Sequence, residues 1–489
     1  MKLFYYIIIL LIIVSCKKDV GKINYGDYPA DVGKIIANNC ATSGCHNETS
    51  YLSSAGLNLK SWTAMFAGST NGSPVIPYNS EFSSLCYYIN TYAELGIQNI
   101  PTMPINKKAL SYDDVKLIKE WINAGAPDVN GNVMWANNPQ QKKLYVANQG
   151  CDIVTVVDAK TQLPMRYISV GNKSSIESPH QIRVSPDGKY WYVNFINNNI
   201  LQKFRCSDDS YVGDIPLTPL AANTGTDDAF YWNTFVISND GKKAYCVSYQ
   251  SSGKVSAVDL DNRKLLYYIG GLVSPHGVVL NDANTKLYIT AQSGNYITEF
   301  DTAFTTYNKI SLQNGLPAAD NATFGTINLG IHDIIRTQSP NEFAVTCQFT
   351  NEFRLINIAT NSVTAVAPTG LYPQEILYSS VFNSYFISCQ DDSLLFPNSF
   401  GVITKINASN FAVANLACGY QPHGIGLDEN NKLLYVLSRN VQSNGPLPHH
   451  TSVCGGRNGF MNFIDLNSFT LLNKKYELSV DPYFIAPRP

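Results

Sequence analysis

The chain has 489 residues, 45% hydrophobic and 12% aromatic, which is ample for a folded core and too long for one ordinary domain. Only 15% are charged, the formal net charge is −2, and no block of basic residues stands out. Nucleic-acid binding therefore has no electrostatic support, and no nucleic-acid partner is expected.

The N-terminus reads as a targeting segment. Lys2 is followed by an apolar run of 12 residues, Leu3 to Val14, too short to span a bilayer comfortably. The run ends in Val14-Ser15-Cys16-Lys17-Lys18. Small residues before a cysteine at such a place resemble the lipobox of bacterial lipoproteins. That resemblance implies a signal peptide over residues 1–16, lipid on Cys16, and a body tethered to the bacterial cell envelope, periplasmic or surface-facing. A signal anchor that is never cleaved is the competing reading.

Residues 28–128 read as short helices. Val32, Ile35 and Ile36 share one face of a segment opened by Tyr28-Pro29. Ser61 is placed to cap WTAMFAG, and Asn79-Ser80 to cap EFSSLCYYIN. Ser111 with Asp114 makes a capping box for YDDVKLIKEWIN, whose Val115, Ile118, Trp121 and Ile122 recur at helical spacing. Gly125-Ala126-Pro127 stops that helix, and the polar stretch that follows, DVNGNVMWANNPQQ, reads as a linker.

Within this region lies NNCATSGCHNETS. Covalent haem needs two thiols and an adjacent histidine that reaches the iron. Cys40, Cys45 and His46 supply all three, with four residues between the cysteines where two are usual. Met103, in IPTMPINKKALS and 57 residues after His46, offers a second axial ligand. A disulfide between Cys40 and Cys45 uses the same residues, as does part of a zinc knuckle, though a fourth soft ligand at zinc spacing is not evident. Met65, mid-helix, reads as core. The order of Cys-His motif, short helices, Met-Pro loop and terminal helix resembles the small cytochrome c domains appended to large envelope proteins. The resemblance implies a small all-α haem c domain over 24–130, with His46 and Met103 as axial ligands and a redox partner protein.

After residue 140 the apolar period changes to two. A short apolar strand recurs seven times: KLYVAN, YWYVNF, KAYCVSY, KLYITA, EFAVTC, SYFISC and LLYVLS. Most are preceded by a PDGK-like turn, and the spacing of about 50 residues suits four-stranded blades. The pattern resembles the YVTN family of seven-bladed β-propellers, over 138–489. It implies a multidomain chain in which an all-β propeller follows the helical domain. Blade one lacks an innermost strand. DPYFIAPRP at the C-terminus is placed to supply it, with GNVMWAN as the competitor.

Of eleven cysteines, Cys246, Cys347 and Cys389 sit inside strand-like runs and read as buried filler; disulfide pairing is left open. Of seven histidines, four align at the opening of the inner strands. His180, Asn233, His276, His332, Gln374, His423 and Tyr483 fall at one register, and inner strands line a propeller's channel. His449 and His450, in a long insertion of the last blade, are expected at the same mouth. Six imidazoles there suit copper or another transition metal and a small-molecule substrate. The layout is similar to nitrous oxide reductases and cytochrome-type nitrite reductases, which implies a redox enzyme. Against this, Pro-His-Gly is also a repeat consensus, with histidine hydrogen-bonding across a wet channel. The alternative function is a non-enzymatic docking propeller with an electron-relay domain.

Overall fold

The structure is a computed structural model, and it describes residues 24–136, 138–219, 231–250, 252–320 and 325–488. The apolar run and Cys16 lie outside the described residues. Among the described residues, no helix is long and apolar enough to cross a membrane.

Among the described residues the N-terminal part holds four α-helices. In α1 (Ala30–Asn39) the apolar side chains Val32, Ile35 and Ile36 are buried. Ser61 caps α2 (Trp62–Met65), accepting from Ala64 N at 3.1 Å. The expected single helix after Asn79 is broken instead. Ser80–Phe82 is a 3₁₀ turn capped by Asn79, Ser83 is extended, and α3 follows at Ser84–Ile89. The Ser83 hydroxyl explains the break, since it bonds outward to Ile76 N and Asn79 O rather than leaving the backbone to continue. α4 (Tyr112–Asn123) is capped by Ser111, whose Oγ accepts from Asp114 N at 3.2 Å, but the capping box is incomplete, because the Asp114 carboxylate accepts from the Ser111 hydroxyl at 2.7 Å rather than from the Ser111 N–H. Val115, Ile118, Trp121 and Ile122 of α4 face a core shared with Val32, Ile36, Met65 and Cys40.

From Lys143 onward the described residues form seven four-stranded antiparallel sheets. The seven LYV-like runs are the second strands of these blades. The C-terminal segment Pro482–Pro487 is the inner strand of blade one, with Leu144 opposite Pro487 and Val146 opposite Ile485. Closure by both ends of the chain leaves the ring without an open seam between blades. Apolar clusters sit between neighbouring blades, such as Tyr192, Trp232, Phe235 and Cys246 between blades two and three. Cys246, Cys347 and Cys389 are buried free thiols within such clusters.

The helical part docks on the rim where the ring closes. Phe82 stacks on Tyr167 of blade one at 4.4 Å, and Ser73 Oγ donates to Pro164 O. Gly68, at φ 82°, comes so close to Leu163 that a Cβ there would meet its methyl groups. Trp135, in the stretch read as linker, packs 5.5 Å from Phe66 and also against the clusters of blade one. A disulfide, Cys151–Cys454, joins the first-blade loop to the last-blade insertion, 303 residues apart in sequence. Phe82 and Tyr167 pack over it.

Candidate functional site

The structure presents two groups of side chains with chemistry to offer. The first is the motif that follows α1. Cys40 caps the C-terminus of that helix and is buried, while Cys45 is partly exposed; both are free thiols. The disulfide reading of this pair is therefore not what the fold adopts. Burial, with Cys45 beside it, pushes the Cys40 thiol up to about 12, so it is neutral at ordinary pH. The turn is held by Cys45 N donating to Thr42 O and His46 N donating to Cys40 O. His46 is half-buried, and its Nδ1 lies 3.0 Å from Leu57 O. A bond from Nδ1–H to a carbonyl leaves the Nε2 lone pair unprotonated, which is how a protein prepares imidazole for a metal. Burial also lowers the His46 pKa.

Met103 is brought to the same side. Its N–H donates to Tyr88 O at 2.7 Å, and its side chain packs against the core that contains Cys40. Four residues on, Lys107 Nζ donates to Thr42 Oγ1 at 3.2 Å, so the Met loop touches the loop between the two cysteines. Two unpaired thiols, a histidine with one nitrogen committed and a nearby thioether are a donor set that fits haem c.

The second group is the propeller channel. All seven inner strands have a register break at the aligned position. Ladder pairs run Pro179 then Ile182, Pro275 then Val278, Ile331 then Ile334, Pro373 then Ile376, and Pro422 then Ile425. Breaks in the closing strand and in blade three skip Tyr483 and Asn233. The aligned residue is thus unpaired in every blade, and a bulge of this kind re-aims side chains. In five blades the residue before the proline (Ser178, Ser274, Tyr372, Gln421, Asp481) has φ between 42° and 58°. The glycines of Pro-His-Gly serve close approach rather than a turn. A Cβ on Gly277 would lie 2.9 Å from His332 O, and one on Gly424 2.6 Å from Tyr483 O. That proximity lets each imidazole reach the next carbonyl in the ring: His276 Nδ1 is 3.0 Å from His332 O, and His423 Nδ1 is 3.2 Å from Tyr483 O.

The rings form a nearly continuous stack. His276 lies 3.8 Å from His332, His332 5.6 Å from His423, His423 3.7 Å from Tyr483, and Tyr483 4.2 Å from His180. His180 Nδ1 contacts Gln149 Nε2 at 3.1 Å, and Arg439 lies over the Tyr483 ring while paired with Asp481 at 2.7 Å. Burial lowers all four imidazoles, His276 to about 4 and the others well below the usual range. They are neutral at physiological pH.

Three channel residues escape a reading of the sequence. Asp333 and Glu375 each follow an aligned residue, and their side chains are bonded to one another. Burial raises both carboxyls, Glu375 well above the usual range, with Asp333 adding to its shift. Arg183, from blade two, is the cation whose charge opposes those shifts. No carboxylate pair is apparent in the sequence, because the two acids lie on different blades. One signal was available: acids directly after an inward-facing position in strands otherwise apolar.

His449 and His450 do not join the stack. Tyr88 Oη donates to His449 O at 2.9 Å and also meets its Nδ1, and Asn99 Nδ2 donates to His449 O. His450 pairs with Glu477 at 3.5 Å and lies 5.4 Å from the Tyr87 ring. The insertion that carries them turns outward to meet the helical part, so they belong to the seam.

No family model and no curated protein matches the chain. Among solved structures it is similar to Kuenenia stuttgartiensis hydrazine synthase, at 14% identity and a TM-score of 0.48, over 65% of this chain and 91% of that one. The propeller assignment rests on the strand order of the chain itself.

Proposed function

We propose that this chain is an electron-transfer protein of the bacterial cell envelope, anchored through lipid on Cys16. In this reading the helical domain is a cytochrome c-type domain that carries covalent haem c. The propeller then offers a histidine-lined second redox site, holding a metal, to a small substrate. The observation that carries the reading is His46, with Nδ1 committed to Leu57 O and two free cysteines on the same turn. Cys40 and Cys45 would hold the haem, and His46 and Met103 would ligate its iron. Bound there, the haem supplies a one-electron carrier. The chain's own part is to fix the imidazole tautomer through Leu57 and to hold the Met103 loop against the motif through Lys107 and Thr42.

The test is expression in a host with haem-maturation machinery. A Soret band and a covalent haem stain are expected, and both are lost in Cys45→Ser. Wild-type protein without a Soret band overturns the reading. Met103→Ala is expected to keep covalent haem and lower its reduction potential, since thioether ligation raises the potential.

A second reading has one observation in its favour. The helical part docks on the outer strand of blade one and on the insertion of blade seven, not on the inner-strand ring. The propeller is then a platform, and electrons pass only from the helical domain to a partner protein. Under that reading His423→Ala leaves electron transfer to every acceptor unchanged.

A further inference from the structure

We propose that His332, Glu375 and His423 together bind one first-row transition-metal ion, of the zinc, copper or iron kind, in the propeller channel. The proposal rests on the propeller half of the reading above and is independent of its haem half.

Blades five, six and seven each contribute one ligand. Glu375 Oε1 lies 3.9 Å from His332 Nε2 and 3.9 Å from His423 Nδ1. One donor atom from each of the three residues falls within 4.8 Å of the other two, and all three residues are buried. Those separations are too long for hydrogen bonds, yet close to the spacing of atoms that share a metal at about 2.0–2.2 Å. Contraction by side-chain shifts, with the His423 ring turning to present its unpartnered Nε2 or releasing Nδ1 from Tyr483 O, brings all three onto one ion.

The Nε2 atoms of His332 and His423 are both buried, and neither has a hydrogen-bond partner. A buried polar atom without a partner is costly, and His332 Nε2 is the one that faces the Glu375 carboxyl.

The surrounding bonds are those of a supported metal site. Gln348 Nε2 lies 3.0 Å from His332 Nδ1, and its amide presents a donor or an acceptor to that nitrogen according to which end faces it. His423 Nδ1 meets Tyr483 O. Asp333, bonded to Glu375, is itself held by the N–H groups of Ile334 and Ile376 at 2.8 and 3.1 Å. Two imidazoles and one carboxylate match zinc or non-haem iron sites that keep a position open for water or substrate. Gln348 also lines a groove of about 540 Å³, with Phe349, Tyr372 and Gln421. His276 and His180 are outer members: one is tied to His332 O and stacked on that ring, the other to Gln149.

The experiment uses the full chain, stripped with a chelator and titrated calorimetrically with Zn²⁺ alone and with Cu²⁺ alone. Both ions bind such sites at least as tightly as Fe²⁺ does. One equivalent is expected. Glu375→Gln and His423→Gln are expected to weaken binding at least about tenfold, and His449→Gln, at the seam with the helical part, to leave it unchanged. No stoichiometric uptake of either ion overturns the proposal. So does uptake that survives Glu375→Gln and His423→Gln. Thermal melts check folding; should His423→Gln fail to fold, the near-isosteric Glu375→Gln decides. A Soret band without ion uptake overturns the site alone, and ion uptake without a Soret band overturns the haem reading alone.

Discussion

His46 in the helical part and His276 and His423 in the propeller are prepared by the same bond, Nδ1 against a backbone carbonyl. The carbonyl for His46 is 11 residues away in sequence, whereas those for His276 and His423 are 56 and 60 residues away, on the next blade. His46 is half-buried, and the channel imidazoles are buried. One site is therefore a local device that a single loop can hold. The other exists only when seven blades close into a ring. This difference gives a way to separate them, because damage to ring closure should reach the channel and spare the motif.

The largest effect is expected from removing residues 481–489. That deletes the inner strand of blade one, together with Tyr483, whose ring lies between His423 and His180 and whose carbonyl receives His423. The cooperative melt of the propeller should disappear in calorimetry, while covalent haem content in a maturation-competent host persists. Loss of both together would show that the two sites are not separable. Next in size is Cys151→Ser. The disulfide spans 303 residues and staples blade one to blade seven, and cross-linking so long a loop stabilises by up to about 5 kcal/mol. A drop of several degrees in the melting temperature is expected, with the haem stain unchanged.

The propeller was legible in the sequence because its signal repeats. Seven apolar strands and their turns, each weak alone, locate all the blades. The aligned positions His180, Asn233, His276, His332, Gln374, His423 and Tyr483 lie on the seven inner strands. Asp333 and Glu375 were not legible, for a physical reason. Alternation sends neighbouring side chains to opposite faces, so a residue next to a channel position is read as pointing away. The bulge at each inner strand breaks that alternation. Nor does any local pattern pair Cys151 with Cys454, since only closure brings them to a Cα separation of 5.8 Å. The direction of the insertion carrying His449 and His450 depends on a partner, the helical part, whose docking leaves no mark in periodicity.

A smaller effect comes from acid. The four channel imidazoles have folded pKa values below the ordinary 6.5, His276 at about 4. An unfolded chain takes up protons as pH falls below about 6.5, and the folded ring does not. Their contribution is complete above that pH and declines toward pH 4, by about 1.4 kcal/mol per histidine per pH unit. Asp333 and Glu375, raised by burial, oppose the trend, but two carboxyls do not cancel four imidazoles. Metal-free protein should therefore melt at lower temperature at pH 5 than at pH 7.5. His276→Gln should flatten that dependence, and a variant as acid-sensitive as the wild type would show that the ring histidines do not set it.

The smallest effect is expected where the two regions meet. Tyr88→Phe removes the hydroxyl that bonds His449 at an exposed part of the seam, worth about 1 kcal/mol. Docking does not depend on that bond alone. Phe82 on Tyr167, Trp135 against Phe66 and blade one, and Gly68 against Leu163 all remain. Limited proteolysis between residues 128 and 141 should thus quicken only slightly in Tyr88→Phe, and clearly more in Phe82→Ala, where a stacked aromatic and the cover over the disulfide are lost together. Equal rates in the two variants would mean that the polar contact with His449 holds the helical part in place and the aromatic contacts merely fill the gap. The insertion bearing His449 and His450 would then be the latch between a local site and one that only the closed ring can build.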